Sequence, residues 1–239
     1  MYAAKSRSPE RDQMARRTKE EAERTREALL AAASKVFLER GVARATLAEV
    51  AQAAGVTRGA VYWHFRDKLD LFLAIADRAR APYEGLLTDL TARLLADPSL
   101  DPFAEFEKTV NAGFQALEAN AERQRLLTIL MLRCEYVEEM APAFERQRRA
   151  RTLFRAELDQ IFTVIAARGR LAAPWRPNEA AAALFLVFSG MLRASLETPE
   201  ELRLTVQGIA LARVFLAAFD AARSRDAAAS TVLPAATRG

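Results

Sequence analysis

The chain has 239 residues, a formal net charge of +4 and one cysteine, which excludes an intrachain disulfide. Ala, Leu, Glu and Arg dominate while Gly and Pro number only 9 each, a composition typical of an all-α protein, and the length allows a large core. No apolar run approaches the ~18 residues of a membrane span. The start, MYAAKSRSPERDQMARRTK, lacks the apolar stretch of a signal peptide, so we expect a soluble, cytoplasmic protein with no membrane partner.

Positive charge is concentrated in the first third of the chain. Residues 1–80 contain 16 Lys or Arg against 11 Asp or Glu, whereas the remaining residues contain 19 against 20. An excess of positive charge at one end suits a polyanionic partner there. A solvated helical face often carries a surplus of this size, so charge alone does not identify the partner.

The chain begins with a polar segment that is followed by a helix. Residues 1–19 predict a flexible basic arm, within which Met14 is a second candidate start. Apolar residues then recur at helical spacing from about Glu20 to Arg40. Gly41 is expected to end this helix, because glycine often occupies the position just past a helix C-terminus.

Residues 46–65, TLAEVAQAAGVTRGAVYWHF, predict two short helices joined by a turn. Thr46 and Glu49 have the spacing of a capping box at the start of the first helix. Gly55 interrupts the pattern where a turn would require a positive φ, and Thr57 can cap the second helix. Behind the preceding helix, this pattern predicts a helix-turn-helix. The residues expected to seal the unit are Ala51, Val56 and Val61.

Beyond residue 67 the pattern stays helical, and no strand is predicted. The segment 68–96 should be kinked or split at Pro82. The tail, residues 223–239, lacks a helical face and is predicted to be disordered. About nine helices result in total. The remaining helical segments are predicted at about 102–119, 122–140, 142–168, 178–197 and 201–222.

The start of the second short helix carries side chains suited to DNA, and in a helix-turn-helix this part enters the major groove. Arg58 can pair with guanine or hold a phosphate. The Thr57 hydroxyl suits a phosphate oxygen, Gly59 leaves room for the duplex, and Tyr62 can contact a thymine methyl group or a phosphate. The alternative is an ordinary solvated helix face. The candidate DNA-binding residues are Arg44, Thr46, Thr57, Arg58, Gly59, Tyr62, Trp63, His64 and Lys68.

Two of these candidates, Trp63 and His64, have a second interpretation, and helix electrostatics support the third, Lys68. Trp63 is expected to pack more than to contact DNA. His64 is expected to anchor the helix or touch a phosphate. It is the only histidine beside one cysteine, so no zinc cluster is available, and we predict no metal, no cofactor and no catalytic site. Lys68 starts the next helix, where its charge opposes the helix macrodipole unless an anion such as a phosphate lies there.

TLAEVAQAAGVTRGAVYWHFRDKLDLFLAI, preceded by TREALLAAASKVFLERGVARATL, resembles the DNA-binding signature of the TetR family of transcriptional repressors. TRGAVYWHF, MARRTKEEAERTR and LMLRCEYVEEMAP (130–142) most resemble the AcrR-like branch, which represses multidrug efflux pumps. The resemblance implies a helix-turn-helix head over residues 20–67. It also implies a ligand-binding and dimerisation domain over residues 68–222.

Repressors resembling this chain have an apolar cavity among their middle helices, which implies a lipophilic effector. Apolar pockets with few polar groups accept ligands of varied shape. A carboxylate such as Glu135 would suit a cationic drug. Cys134 could be a redox sensor, although a lone helical cysteine is more often a small buried hydrophobe. Plain packing is the alternative for each phenylalanine. The candidate ligand-binding residues are Phe106, Phe114, Met131, Cys134, Glu135, Phe154 and Phe188.

The last two long helices, which contain AAALFLVFSGMLRASL and VQGIALARVFLAAF, have wider apolar stripes than a helix at a protein edge should expose. Small residues between the large ones would allow close helix approach. A four-helix homodimer interface, which the resemblance also implies, would cover these stripes. The candidate interface residues are Leu184, Phe188, Met191, Leu192, Leu211 and Phe215.

These features predict a homodimeric repressor that binds a palindromic operator in double-stranded DNA and leaves it when a small lipophilic compound binds. The resemblance implies an efflux-pump operon as its target. One alternative is a dimeric DNA-binding regulator without effector control. The other, of a different class, is a helical enzyme or small-molecule carrier with a vestigial head. No nucleophile–base pair or phosphate-binding loop in the sequence supports an enzyme.

Overall fold

The computed structural model of the chain describes residues 9–81, 85–135 and 138–223, with side chains described from Thr18 onwards. Ten α-helices occupy this part of the chain. They are α1 (Pro9–Arg40), α2 (Leu47–Ala54), α3 (Arg58–His64), α4 (Lys68–Arg80), α5 (Leu86–Ala96), α6 (Pro102–Glu118), α7 (Ala121–Leu132), α8 (Ala141–Ala167), α9 (Pro177–Glu197) and α10 (Ile209–Phe219). Within the described ranges, the only β pairing is an isolated bridge between Leu171 and Asp220. The predicted all-α class is confirmed.

Helix α1 begins at Pro9, well before the predicted start at about Glu20. The segment that we assigned to a flexible arm therefore joins the helix from Pro9 onwards. Its sequence, PERDQMARRTK, is rich in strong helix formers, and a proline is well tolerated in the first turn. The absence of an apolar face misled the prediction. Residues 1–8 of the arm and 224–239 of the tail lie outside the described residues.

Two predicted long segments are shorter in the structure. The 68–96 segment is split, since α4 ends at Arg80 and α5 begins at Leu86. Pro82 itself lies outside the described residues. Helix α7 ends at Leu132 rather than near residue 140. A 3-10 turn, Glu138–Met140, follows it before α8.

The last predicted segment, 201–222, is also not one continuous α-helix. It begins with a π-helical turn, Leu204–Gly208, which runs into α10. The Glu118 carboxylate accepts hydrogen bonds from the backbone N–H and the hydroxyl of Thr205, and so holds this turn against α6. Burial opposes ionisation of Glu118, but the hydrogen bonds from Thr205 and Leu204 together with the nearby Arg203 charge outweigh burial and lower its pKa.

The apolar core has two clusters that meet between α6 and α9. The first joins α1–α4 to α7 and includes Leu126 and Ile129, and the second joins α5, α6, α8, α9 and α10. Phe114 and Phe188 pack against both clusters. The core therefore does not divide at residues 67 and 68. Helices α4 and α7 bury their apolar faces in the same cluster as the head.

Helix α9 is long and apolar enough to cross a membrane, with a mean hydropathy of 1.4 over its best 18-residue window, by length and composition only. In this fold 22% of that window is buried inside the protomer. Ala180, Ala181, Leu184 and Met191 are buried, and α8 is its main neighbour.

Candidate DNA-binding surface and effector region

The start of α2 is fixed by the predicted capping box. The Thr46 hydroxyl accepts a hydrogen bond from the Glu49 backbone N–H at 3.2 Å, and the Glu49 carboxylate accepts one from the Thr46 N–H at 2.9 Å. These bonds with Thr46 lower the pKa of Glu49. Thr46 is exposed, and its hydroxyl is already hydrogen-bonded as the cap of α2. Its contact with DNA stays a prediction.

The turn between α2 and α3 has the predicted geometry. Gly55 has φ +67° and ψ 29°, and its N–H reaches the carbonyl groups at the end of α2. Val61 is fully buried and Ala51 nearly so, while Val56 is partly buried against the same core. Thr57 caps α3 by accepting a hydrogen bond from the Ala60 N–H at 3.2 Å. The sequence therefore predicted this helix-turn-helix correctly.

The outer face of α3 presents Arg58, Gly59, Tyr62 and Trp63 to solvent. Arg58 donates a hydrogen bond to the Tyr62 hydroxyl at 3.3 Å, and its guanidinium carbon lies 5.7 Å from the Tyr62 ring centroid. A methyl group at Gly59 would meet nothing closer than the Thr57 hydroxyl at 3.9 Å. The face is therefore open to a duplex, and its arginine and tyrosine are held together one helical turn apart.

The expectation that Trp63 mainly packs is wrong, because 72% of its surface is exposed. It makes an edge-to-face contact with His64 at 4.6 Å between ring centroids. Burial, followed by the nearby Arg26, lowers the pKa of His64. At neutral pH His64 is therefore an uncharged ring beside Trp63 at the end of α3.

Lys68 is held within the protein, contrary to the prediction that it contacts a phosphate. Its side chain is only 12% exposed, and its ammonium group donates to the Ala43 carbonyl at 2.8 Å and pairs with Glu139 at 3.5 Å. The anion that offsets the macrodipole of α4 is thus supplied by the protein. Asp67 adds to this, because it caps α4 and accepts a hydrogen bond from the Asp70 N–H.

Asn111 on α6 is a polar residue close to the predicted ligand-binding pair Phe114 and Phe188, and the sequence did not single it out. The Oδ1 atom of Asn111 is buried, and it has no hydrogen-bond partner within the described part of the chain. Asn111 lies one turn before Phe114 on α6, and the Phe114 ring meets that of Phe188 edge to face at 6.1 Å. A polar residue within VNAGF, on the apolar side of α6, was the available signal.

The predicted ligand-binding phenylalanines are packed rather than arranged around an open chamber. Phe106 is fully buried against Phe162, and Phe154 contacts Phe185. A cavity of about 180 Å³ lies between the ends of α6 and α9, and none of the predicted residues lines it. Its lining residues are Leu117, Glu118, Gln124, Ser195, Leu196, Pro199, Leu202, Arg203 and Leu204.

Comparison with known proteins identifies the architecture. Residues 29–75 match the family profile of bacterial regulatory proteins of the tetR family. Residues 101–220 match the C-terminal region of MAATS-type transcriptional repressors. The chain belongs to the TetR family. Its members are transcriptional regulators, so a DNA-binding role is expected for the exposed face of α3.

Individual relatives match over most of their length. The transcriptional repressor BepR of Brucella suis is 42% identical over 81% of this chain and 90% of its own. The crystal structure of NalD, the secondary repressor of the MexAB-OprM multidrug efflux pump in Pseudomonas aeruginosa, is 34% identical, with a TM-score of 0.74 over 84% of this chain and 98% of NalD. The SmeT–triclosan complex is 28% identical, with a TM-score of 0.71 over 82% and 91% of the two chains.

Glu135 lies against the TetR-family head and not in an effector pocket, which corrects its predicted role. Its carboxylate accepts a hydrogen bond from the Ala43 N–H at 3.1 Å and lies beside Gly41. The chain turns away from the α7 axis after Leu132, so the side chains that follow reach the α1–α2 turn.

Arg44 lies on the same turn and is exposed. Its side chain donates a hydrogen bond to the Arg40 carbonyl, and its contact with DNA stays a prediction.

Cys134 should be unreactive in the folded protein. Burial, followed by the nearby Glu135 charge, raises the pKa of its thiol from 9.0 to about 11. Since the thiolate is the nucleophile, we expect alkylation by iodoacetamide at pH 7.5 to be roughly a hundredfold slower than for a free thiol. Mass spectrometry of timed reactions checks this, with urea-unfolded protein as the control. Equal rates in the folded and unfolded protein would restore the sensor hypothesis.

Two of the six predicted interface residues are buried within the protomer, which corrects the prediction for those two; for the other four it stays a prediction. Leu184 and Met191 are buried, and Phe188, Leu192 and Phe215 pack partly buried against the two core clusters. Of the six predicted interface residues, Leu211 is the one that is exposed, with 40% of its surface accessible. The apolar stripe was wide because α9 and α10 each have an inner and an outer apolar face. The exposed apolar residues are Leu186 on α9, Val206 in the π-helical turn before α10, and Leu211 and Val214 on α10.

Proposed function

We propose that this TetR-family protein is a cytoplasmic, homodimeric repressor of a multidrug efflux operon, released from its operator by a small lipophilic compound. The observation that carries the DNA-binding part is the exposed face of α3, where Arg58 and Tyr62 are paired above an open Gly59. NalD and SmeT, which support the target, are described as repressors of multidrug efflux pumps. The SmeT–triclosan complex supports a lipophilic effector.

Operator binding requires two copies of the α3 face. In a homodimer the two α3 helices would enter successive major grooves about 34–36 Å apart, so the operator should be a palindrome. Most of the affinity would come from neutralised phosphates and would fall steeply with salt. Base recognition would rest on Arg58 and Tyr62, with Trp63 covering the sugar–phosphate edge beside them.

The effector would occupy the region around Asn111. The buried Oδ1 of Asn111 lacks a hydrogen-bond donor, and a ligand with a hydroxyl or N–H group would supply one. The adjacent Phe114 and Phe188 rings lie between the two core clusters, so a ligand that separates them would displace α6 and α9 relative to the head. A compound that prefers the displaced arrangement shifts the population away from the form that binds DNA.

A regulator without effector control is the second candidate. It is favoured by one observation, that Phe106 and its neighbours are tightly packed and that the cavity of about 180 Å³ lies elsewhere. Such a protein would bind its operator normally and respond to no compound.

Mobility-shift titration on the DNA upstream of its own gene, with and without triclosan and other lipophilic antimicrobials, tests the proposal. We expect a retarded band that one compound weakens by roughly 5- to 150-fold, which corresponds to a coupling of about 1–3 kcal/mol. An N111L variant should keep the band but require roughly tenfold more of that compound, because the ligand loses its acceptor. Exposed Asn178, replaced in the same way, is the control.

Three outcomes separate the alternatives. A band that every compound leaves intact favours a regulator without effector control. A released band with equal sensitivity in wild type and N111L places the effector away from Asn111. No band on any duplex, including a pool of random sequences, contradicts the repressor itself.

A further inference from the structure

The α1–α2 turn, residues 41–46, contacts a part of the C-terminal domain distant from it in sequence. Its Val42 N–H donates to the Arg133 carbonyl at 2.9 Å, and its Ala43 N–H donates to the Glu135 carboxylate at 3.1 Å. The Arg133 guanidinium in turn donates to the carbonyl groups of Leu38 and Glu39, at 2.7 and 3.0 Å. Both partners come from the three residues that follow α7.

These contacts satisfy groups that the end of α1 would otherwise leave unpaired. The last carbonyls of a helix have no intrahelical partner, and a cation there interacts favourably with the macrodipole. Arg133 supplies that cation in a two-pronged geometry that lysine cannot reproduce. Glu135 supplies an ionised acceptor for the Ala43 N–H, and hydrogen bonds to charged groups are stronger than neutral ones.

The turn is also shaped to receive the Glu135 carboxylate. Gly41 has φ +79°, and a Cβ at this position would overlap the Glu135 carboxylate. Ala43 also has a second contact, because its carbonyl group accepts a hydrogen bond from the partly buried Lys68 ammonium group. Both backbone groups of Ala43 are therefore held, one by the segment after α7 and one by the start of α4.

We propose that Arg133 and Glu135 are positioning residues for DNA binding, a clamp that sets the α1–α2 turn and with it the orientation of α2 and α3. The turn ends at Thr46, the cap of α2, so its conformation fixes where the helix-turn-helix begins. This inference rests on the proposed function. It adds a polar connection between the C-terminal domain and the head, in addition to the direct continuation of the chain into α4 and the apolar cluster that α7 shares with α1–α4.

The clamp also lies next to the effector region. Arg193 of α9 donates to the Met131 carbonyl at the end of α7, two residues before Arg133. Helix α9 contains Phe188, which meets Phe114 between the core clusters. A shift of α9 relative to α7 therefore has a short connected route to the turn, through Met131 and Arg133.

The test compares E135A, E135Q and E138Q in the full-length protein. Glu138 is an exposed glutamate on the same segment and serves as the matched control. Hydrogen exchange of peptides covering residues 38–46 is measured without DNA. Affinity is measured by fluorescence anisotropy on a duplex that the wild type selects from random sequences. Thermal unfolding and sedimentation show whether fold and dimer persist.

We expect E135A to raise exchange of the turn and to weaken duplex binding, each roughly tenfold, with the unfolding midpoint and oligomeric state unchanged. E135Q keeps an acceptor oxygen and should stay within about threefold of wild type. E138Q should match wild type. An R133K variant, which loses the two-pronged contact, should change both measurements in the same direction as E135A.

Several results would overturn the clamp. Wild-type exchange and affinity in E135A would do so, as would weaker binding without any change in exchange of the turn. E135Q as impaired as E135A would exclude the acceptor role. If the wild type selects no duplex, the proposed function fails, while the exchange measurement still decides whether Glu135 holds the turn.

Discussion

Replacing Arg58 and Tyr62 together by alanine is expected to abolish specific operator binding while leaving the fold and the dimer intact. Both side chains lie on the outer face of α3 and contact each other rather than the core, so their loss should change the unfolding midpoint little. A good arginine–guanine pair contributes about 1–3 kcal/mol of discrimination. Since each dimer has two copies of the face, a loss of roughly 2–6 kcal/mol, about 30-fold to 10⁴-fold in affinity, follows.

The measurement is anisotropy on the selected duplex and on a scrambled duplex of equal length. R151A, an exposed arginine on α8, is the control for the removal of charge. We expect R58A/Y62A to bind both duplexes equally and weakly, because phosphate contacts elsewhere would remain. Wild-type affinity in the double variant would show that another surface binds DNA. If the two side chains act together, each single variant should show more than half of the combined loss.

Introducing glutamate at Leu211 and Val214 is expected to convert the dimer into a monomer. These residues lie one turn apart on the outer face of α10, at 40% and 64% exposure, and they are not needed for the core of the protomer. In a two-fold symmetric interface each residue is buried twice. Losing this apolar contact and burying new charge should weaken association by roughly 4 kcal/mol or more, about a thousandfold.

Sedimentation velocity gives the oligomeric state, and anisotropy gives the effect on DNA. A monomer reaches only one half-site, so we expect operator affinity to fall by about 10²- to 10⁴-fold through the loss of linked binding. Leu95 on α5 is similarly exposed, at 66%, and L95E is the control. A dimeric L211E/V214E would locate the interface elsewhere. A dimeric wild type with a monomeric L95E would locate it near α5.

The sequence by itself determined the head. Each feature of the helix-turn-helix depends on residues within a few positions of one another: the Thr46–Glu49 capping box, the positive φ of Gly55 and the Thr57 cap. Such local interactions leave a direct trace in the sequence. The exposed positions of Arg58 and Tyr62 followed from the same short-range pattern, whereas the exposure of Trp63 on the same helix did not.

Tertiary structure decided where long side chains reach. Lys68 was predicted to contact a phosphate and Glu135 to suit a cationic drug, yet they contact the two backbone groups of Ala43, which lies 25 residues from Lys68 and 92 residues from Glu135 along the chain. No periodicity encodes a contact of that span. The end of α7 was placed too late for the same reason, since the apolar pattern continues while Arg133 leaves the helix axis to bind the end of α1.

The C-terminal helices show the same division between what the sequence determines and what it leaves open. The sequence predicted that α9 and α10 are apolar on a wide stripe, but not which part of the stripe faces inward. Leu184 and Met191 are buried while Leu186 and Val214 are exposed, because the packing of α8, α6 and the head selects one side of each helix. An apolar side chain has the same preference for a core and for an interface. Only the positions of the neighbouring helices distinguish the two.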